Sequence, residues 1–125
     1  MIPRYRAWDK KFKEMVQVDA LVFEEQIIKA TYKNGNVVKE DLKNYVLMQS
    51  TGLTDKNGKE IFEGDVVKMA KNVYSEPTCY EVVRHRGGAY RLDSKQYGCE
   101  LWLRHTDCEI AGNIYKNPEL LEVSS

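Results

Sequence analysis

The amino-acid sequence predicts a mainly β protein, folded as a compact barrel or roll. Short apolar or alternating runs are separated by turn signals, and three of these signals contain glycine: Asn34-Gly35, Asn57-Gly58 and Gly87-Gly88. Their spacing is typical of small antiparallel sheets. Strand and helix patterns do not alternate along the chain, which argues against a parallel doubly wound sheet. At 125 residues the chain has the length of one domain and can bury an ordinary core.

The N-terminal third is predicted to consist largely of hairpins. The run RYRAWD alternates, and EMVQV follows it after the polar turn DKKFK, so residues 4–18 are predicted to form a hairpin. The next run, ALVFEEQIIKATYK, fits neither the strand period nor the helix period, and both interpretations stay open. Asn34-Gly35 then indicates a two-residue turn, because both central positions of a type I′ turn need positive φ.

The later strands are predicted from five short runs: YVLMQ, DVVKM, CYEVVRH, AYRL and CEIAGNIY. The last of these is expected to be the final strand. Beyond it, NPELLEV places Pro118 at a first helical position with Asn117 as the cap, which predicts one short helical turn. Few helical turns are therefore expected in a fold of strands.

The densest polar stretch is TGLTDKNGKEIFEGDVV, residues 51–67. With Asn57 and Gly58 as the centre of a type I′ turn, Lys56 is predicted to face Lys59. This turn would place the acidic and amide side chains of the stretch around a tight hairpin.

The end of the same stretch is also predicted to shape the backbone. Gly64 is expected to take a positive φ, and Asp65 to accept hydrogen bonds from nearby backbone N–H groups. Counted from Asp55, the stretch does not match the EF-hand pattern, so no calcium site is predicted. The residues with a predicted structural role in turns are Asn57, Gly58, Gly64 and Asp65.

The most suggestive functional segment is VVRHRGGAYRLDSKQYG. With Gly87-Gly88 as a two-residue turn, Arg84 is predicted to face Arg91, and one face of the hairpin gathers Arg84, Arg86 and Arg91. Two opposed arginines repel each other unless an anion lies between them. That anion could be Asp93, Glu81, a neighbouring subunit or a phosphate backbone, and Tyr90 and Tyr97 would then stack on bases. A solvated charged face is the commoner arrangement.

Composition excludes several classes of protein. Nineteen basic and nineteen acidic residues give zero formal charge, which argues against a surface that binds phosphate throughout. Three cysteines cannot form a closed set of intramolecular disulfides, so reduced thiols and a cytoplasmic location are expected. No apolar run matches a signal peptide or a membrane helix, so neither secretion nor membrane insertion is expected.

The residues offer no pattern for a cofactor, a metal or catalysis. The candidate zinc ligands lack the close cysteine pair that structural zinc uses: Cys79, His85, Cys99, His105 and Cys108. Neither a nucleophile elbow nor a glycine-rich phosphate loop occurs. An enzyme would instead need Asp55, Glu63 and Asp65 to converge in a pocket. We therefore expect no enzymatic activity, no cofactor and no metal.

Three segments resemble proteins of the YopX family: RYRAWDKKFKEM (4–15), LMQSTGLTDKNGKEIFEGDVV (47–67) and GNIYKNPELL (112–121). They anchor both ends and the middle of the chain. The resemblance implies a phage or prophage protein of the bacterial cytoplasm, whose residues 45–125 form an SH3-like barrel or roll. Residues 1–44 are then expected to be an N-terminal β extension packed on that barrel. The resemblance implies no activity, and it carries over no catalytic residue.

We therefore expect a non-enzymatic accessory protein that binds a macromolecule. The leading hypothesis is a protein-interaction module that also self-associates, because the chain has eight tyrosines and tyrosine is common in interfaces. The alternative is a nucleic-acid-binding protein that uses the basic hairpin face, with Arg84, Arg86, Arg91, Tyr90 and Tyr97.

Overall fold

The computed structural model describes residues 4–123, and the protein is mainly β in that range, as predicted. It contains eleven strands, two short helices and two 3₁₀ turns there, and the strands form two antiparallel sheets. The outermost residues of the two predicted parts, 1–3 and 124–125, lie outside the described residues. The chain divides into two compact units, Met1–Ser50 and Thr51–Ser125, and each has its own hydrophobic core.

The first unit is a meander of antiparallel strands. These are β1 (Tyr5–Asp9), β2 (Glu14–Val22), β3 (Ile27–Thr31), β4 (Val37–Asp41) and the beginning of β5 (Tyr45–Thr54). Their hydrogen-bonded order is β4-β3-β2-β1-β5. The predicted hairpin over residues 4–18 is confirmed, with Ala7 opposite Val16. The buried core of this unit consists of Ala7, Val16, Ile28, Ala30 and Tyr45.

The run that fitted neither period, residues 20–33, contains the end of β2, the whole of β3 and no helix. β2 continues to Val22, a turn follows in which Gln26 has a φ of 57°, and β3 begins at Ile27. A register shift between Val18 and Ala20 interrupts the alternation of β2. That shift lies just before the run, and the turn divides the run into the end of one strand and the whole of the next, so no single period describes it.

The second unit contains the end of β5 and six further strands: β6 (Glu60–Phe62), β7 (Asp65–Met69), β8 (Thr78–Arg84), β9 (Tyr90–Asp93), β10 (Gly98–Glu100) and β11 (Glu109–Asn113). The last five form a sheet in the order β10-β9-β8-β7-β11. Two helices belong to the same unit, α1 (Leu101–Arg104) and α2 (Glu119–Val123). The buried core consists of Ile61, Val67, Met69, Tyr80, Val82, Leu92, Leu101 and Cys108.

The predicted helical turn after Pro118 is confirmed, since Leu121 N donates to Pro118 O at 3.3 Å and α2 follows. Helix α1 and the two 3₁₀ turns, Leu42–Asn44 and His105–Asp107, were not predicted. Each is only three or four residues long, which is shorter than the window over which a helical period can be recognised. None of the helices in residues 4–123 has the length and apolar character needed to cross a lipid bilayer.

The predicted SH3-like barrel is not confirmed, because neither sheet closes on itself within residues 4–123. Strands β10 and β11 are the two edges of the five-stranded sheet. The predicted division between residues 1–44 and 45–125 falls at the start of β5, whereas the compact units divide after Ser50, inside that strand. The packing of residues 1–44 on the remainder stays a prediction.

Candidate functional site

The central turn closes differently from the prediction. Gly58 N donates to Asp55 O at 3.0 Å and Asp55 N donates to Lys59 O at 2.8 Å, so Asp55 and Lys59 flank a three-residue loop. Gly58 has a φ of 81°, whereas the described non-glycine residues with positive φ do not include Asn57. A type I′ turn needs positive φ at both central positions, so the predicted pairing of Lys56 with Lys59 is wrong. The loop instead ends in a glycine bulge.

Asp55 is buried beneath this loop and holds it to the sheet. Its Oδ1 accepts from Asn57 N and Lys59 N, each at 2.9 Å, and its Oδ2 accepts from Ile110 N of β11 at 3.0 Å. Burial acts to raise the pKa of Asp55, but the backbone donors outweigh it and hold the pKa below its usual value. The carboxylate is therefore ionised and committed to backbone groups.

Gly64 and Asp65 shape the turn between β6 and β7. Gly64 has a φ of 87°, and its N–H donates to Val82 O at 2.9 Å. The buried Asp65 carboxylate accepts from Phe62 N across the turn at 2.8 Å. Asp55 and Asp65 thus bind different backbone N–H groups, and both carboxylates serve the fold.

The basic hairpin also has a three-residue loop, and this changes its faces. His85 N donates to Ala89 O at 2.8 Å. Arg84 therefore lies opposite Tyr90, and Arg91 lies opposite Val83. The predicted pairing of Arg84 with Arg91 is therefore wrong. Because neighbouring positions of a strand point to opposite sides, these two arginines lie on opposite faces of the sheet.

The three predicted arginines do not form one basic face. Arg91 is half-buried, and its guanidinium donates to Glu100 Oε1 at 2.8 Å and lies 3.7 Å from Asp93 Oδ1. Arg84 ends β8 and Arg86 lies in the loop, and both are exposed. The positive charge of Arg91 is thus balanced within its own sheet, and it does not extend a phosphate-binding stripe.

Tyr97, one of the two predicted stacking residues, lines a cleft in the second unit. We call it the Tyr80 cleft; it encloses about 350 Å³ and is lined by Lys71, Ser75, Glu76, Thr78, Tyr80, Ser94, Gln96 and Tyr97. One wall is the loop between β7 and β8, and another is the loop between β9 and β10. Tyr90, the other predicted stacking residue, is partly buried against the hydrophobic core.

The hydroxyl of Tyr80 distinguishes this cleft from an ordinary surface depression. Tyr80 has 0% exposure, yet its Oη has no hydrogen-bond partner in the part of the chain that the structure describes. A buried hydroxyl without a partner costs about 1–3 kcal/mol. The Tyr80 ring meets the Tyr97 ring edge-on, with centroids 6.1 Å apart and planes at 74°. The lining of the cleft therefore includes a buried tyrosine whose hydroxyl has no partner among the described residues.

Local hydrogen bonds fix both loops of the Tyr80 cleft. Ser94 Oγ accepts from Tyr97 N at 3.1 Å, and Ser94 N donates to Tyr97 O at 2.8 Å. In the other loop, Asn72 Oδ1 accepts from Tyr74 N at 2.8 Å. Lys71 Nζ lies 4.9 Å from the centre of the Tyr97 ring, so a cation–π contact joins the two loops.

Large apolar side chains are exposed on the loop between β7 and β8 and on helix α1. We call them the apolar rim: Val73, Tyr74, Trp102 and Leu103. Tyr74 is 94% exposed and Trp102 is 65% exposed. The guanidinium of Arg104, at the end of α1, donates to Ala70 O at 2.9 Å, where the loop that carries Val73 and Tyr74 begins. Exposed apolar groups of this kind are typical of interaction surfaces.

The residues considered as zinc ligands have separate surroundings. Three thiols are free: Cys79, Cys99 and Cys108. Burial raises the pKa of Cys108 to about 12. His85 Nε2 lies 3.4 Å from Asp93 Oδ2, whereas His105 Nδ1 bonds Thr54 O at 2.7 Å. Within residues 4–123, no three His, Cys, Asp or Glu side chains are grouped so that they could hold a metal ion.

The first unit has a buried hydrogen-bond chain of its own. Asp9 Oδ1 accepts from Lys11 N at 2.8 Å and from Phe12 N at 3.1 Å, and its Oδ2 accepts from the Tyr32 hydroxyl. The Tyr32 and Tyr45 hydroxyls bond each other at 2.8 Å. Burial acts to raise the pKa of Asp9, but the donors outweigh it and the pKa lies below its usual value. Each of these polar side chains has a partner, so this row of hydrogen bonds stabilises the fold.

Sequence reasoning did not find the Tyr80 cleft. Its lining residues come from separate segments, and none of these forms a recognisable motif. One signal was present, because the alternation of β8 places Tyr80 on the same face as the buried Val82. A tyrosine at a core position carries a hydroxyl that usually needs a partner.

Comparisons with known proteins agree with this fold. The family model described as YopX protein matches residues 4–122. The crystal structure of protein EF1440 from Enterococcus faecalis is 29% identical, with a TM-score of 0.67, and the match covers 97% of this chain and 99% of that one. The crystal structure of protein yopX from Bacillus subtilis is 24% identical, with a TM-score of 0.64 and coverage of 94% and 97%, and it supports the fold alone. No protein with a curated description matches the chain. Because the family model matches nearly the whole chain, the chain belongs to the YopX family.

Proposed function

We propose that this chain is a non-enzymatic protein-interaction module, which binds a segment of another polypeptide in the Tyr80 cleft. The observation that carries the proposal is a buried tyrosine hydroxyl without a partner among the described residues, inside a cleft of about 350 Å³. The proposed setting is the cytoplasm of a bacterium that carries the phage or prophage. Self-association into a homo-oligomer is part of the same proposal.

The apolar rim supports a polypeptide partner. Trp102 and Tyr74 are of the residue types that most often dominate binding energy in protein interfaces. Their exposure leaves large apolar areas in water, and contact with a partner would remove those areas from it. A small cleft with the exposed Tyr74 on one of its loops suits an anchor side chain and its flanking chain.

The placement of the acidic residues supports a non-enzymatic role. Catalytic carboxylates need access to a substrate, and their pKa values are commonly raised by their surroundings. Asp55 and Asp65 are buried and accept backbone N–H groups, and the pKa of Asp55 is lowered. Neither residue lines the Tyr80 cleft.

The alternative, a nucleic-acid-binding protein, receives less support from the geometry. A phosphate-binding surface needs basic side chains that reach the same face. Arg84 and Arg91 lie on opposite faces, and Arg91 is ion-paired with Glu100. Arg86 remains exposed in the loop, so the test below includes an oligonucleotide.

We further propose that the second unit is an open relative of an SH3-like barrel. Its last strand, β11, pairs with its first sheet strand, β7, and a 3₁₀ turn at His105–Asp107 precedes it. The order β10-β9-β8-β7-β11 is the order that such a fold would give. Folds of this kind serve several functions, so the site and not the fold carries the proposed activity.

The test is selection of binding peptides from a displayed random library on the full chain. Resynthesised peptides should bind with a Kd of about 1–100 μM, the range expected for a small interface. Trp102→Ser should weaken binding by about tenfold, which is the loss expected for an anchor residue, and Tyr80→Phe should weaken it by a smaller factor. The matched control is Phe12→Ser, because Phe12 is 64% exposed but lies in the first unit.

Two results would contradict the proposed function. In one, no selected peptide binds the full chain. In the other, the chain binds a labelled oligonucleotide in a salt-sensitive manner, and Arg84→Glu with Arg91→Glu abolishes that binding. Light scattering of the full chain measures the proposed self-association. A monomer at all concentrations would contradict the proposed homo-oligomer.

A further inference from the structure

The Tyr80 cleft is lined by more hydrogen-bond donors than negative charges. Lys71 contributes an ammonium, and Tyr80, Thr78 and Gln96 contribute hydroxyl or amide donors. Glu76 is the only acidic residue among the lining residues. The lining thus offers one ammonium group beside several uncharged donors, and these suit a ligand group that accepts hydrogen bonds.

Lys71 is already held at the cleft before any ligand is present. Its Nζ lies 4.9 Å from the centre of the Tyr97 ring, and the same ring packs edge-on against Tyr80. A contact of this kind restricts the lysine side chain, so less conformational entropy remains to be lost on binding. The ammonium, the two aromatic rings and the buried hydroxyl thus form one preorganised group.

We propose that the Tyr80 cleft is a carboxylate-binding site, which takes a glutamate or aspartate side chain or a free C terminus of the partner polypeptide. A carboxylate accepts from the Tyr80 hydroxyl and pairs with Lys71, and its aliphatic stem can pack on Tyr97. An apolar anchor would leave the Tyr80 hydroxyl unpaired, and a cationic anchor would be repelled by the Lys71 ammonium. This inference rests on the proposed function for its partner class.

The size of the cleft agrees with this occupant. Its volume of about 350 Å³ lies at the lower end of the range of small-molecule sites, about 300–1,000 Å³. One acidic side chain or one chain end fits such a space.

The first experiment uses acetate as the probe, in an NMR titration of the full chain at neutral pH with acetamide as the uncharged comparison. Acetate should shift the amide signals of Lys71, Thr78 and Tyr97 with a millimolar Kd, and acetamide should not. Lys71→Met should weaken acetate binding by about tenfold, the loss expected for a charge-assisted contact. Tyr80→Phe should weaken it by a smaller factor. The matched control is Lys68→Met, an exposed lysine of β7 outside the cleft lining.

The second experiment separates the two sources of the carboxylate. A peptide from the library selection is resynthesised with each acidic residue changed to its amide, and separately with an amidated C terminus. Loss of binding in the first set identifies a side-chain carboxylate, and loss in the second identifies the chain end. Either loss supports the proposal when Lys71→Met produces the same loss.

Failure of this inference can be told from failure of the proposed function. If peptides bind but neither acetate nor any acidic group matters, the carboxylate site is wrong and the interaction module stands. If acetate binds at Lys71 and Tyr97 but no peptide is selected, the carboxylate site stands without a polypeptide partner. If inorganic phosphate shifts these signals and acetate does not, the ligand class is wrong.

Discussion

Asp55 and Tyr80 are both buried polar residues of the second unit, but they differ in their partners. The Asp55 carboxylate accepts three backbone N–H groups, whereas the Tyr80 hydroxyl has no partner in residues 4–123. A satisfied buried group stabilises the fold and is costly to remove. An unsatisfied one lowers stability, so its presence points to a role other than stabilising the fold. The comparison separates residues that hold the fold from residues available for binding.

The comparison predicts its largest effect at Asp55. Asp55→Ala should lower the free energy of unfolding by about 3 kcal/mol, because it leaves buried backbone N–H groups without an acceptor. Urea denaturation at neutral pH measures this change. Glu109→Gln is the control, since Glu109 pairs with Lys56 only at the surface, at 3.5 Å, and should change stability by less than about 1 kcal/mol. Equal effects of the two substitutions would show that the buried Asp55 carboxylate stabilises the fold no more than a surface carboxylate does.

The pH dependence of stability provides a second test of the contribution of Asp55. The folded-state pKa of Asp55 lies below its usual value, so its carboxylate stabilises the folded state above the unfolded pKa of about 3.9. This contribution is lost as the pH falls through the folded pKa. The urea midpoint should therefore fall less steeply in Asp55→Asn than in the wild type between about pH 5 and pH 2. The pKa of Asp9 is also lowered, so Asp9 should still make its own pH-dependent contribution to stability in this variant.

A substitution at Gly112 tests whether the tightly packed side chain of Asn117 stabilises the fold as Asp55 does. A Cβ at Gly112 would lie 2.4 Å from Asn117 Oδ1, which accepts from Asn113 N at 3.4 Å. Gly112→Ala should lower the free energy of unfolding by about 2 kcal/mol, because the Asn117 side chain must move. Asn117→Ala in the same chain should restore part of this loss, as measured in a double-mutant cycle. Simple additivity of the two changes would show that the clash is not the cause.

The smallest effect is expected at Tyr80, and Tyr45 is its matched comparison. The Tyr45 hydroxyl bonds Tyr32 at 2.8 Å and Glu40 at 3.3 Å, so Tyr45→Phe should cost about 1–2 kcal/mol. Tyr80→Phe removes an unpaired hydroxyl and should leave the free energy of unfolding within about 0.5 kcal/mol of the wild type, or raise it. Thermal and urea denaturation measure both. A loss at Tyr80 as large as the loss at Tyr45 would reveal a structural partner for its hydroxyl.

The sequence was sufficient to predict most of the strands but not the loop lengths of three hairpins. At the predicted two-residue turn Asn34-Gly35, Tyr32 N donates to Asn36 O at 2.8 Å, so this hairpin too has a three-residue loop. Local alternation and the Pro118 signal identified the first hairpin and the last helix, because these signals lie within a few residues. An Asn-Gly or Gly-Gly pair fits both a two-residue and a three-residue loop, and the chain uses the three-residue form. One residue of difference moves each side chain to the other face, so the predicted arginine face did not form.

The candidate site was beyond sequence reasoning for a different reason. Lys71, Tyr80 and Tyr97 belong to two loops and a strand, and only the pairing of β7, β8 and β9 brings them together. By contrast, the position of Asp65 beside Gly64 was enough to predict a contact with nearby backbone. Short-range geometry can be read from residue order, whereas a cleft made by separate segments depends on the register of the whole sheet.

The surroundings of Cys108 make this thiol a natural reporter. With a pKa of about 12, the thiol is almost entirely protonated at neutral pH, and only the thiolate reacts readily with iodoacetamide. Full burial adds a second barrier to alkylation. The rate of modification at Cys108, followed by mass spectrometry, therefore measures how often the interior of the second unit opens, without any engineered label.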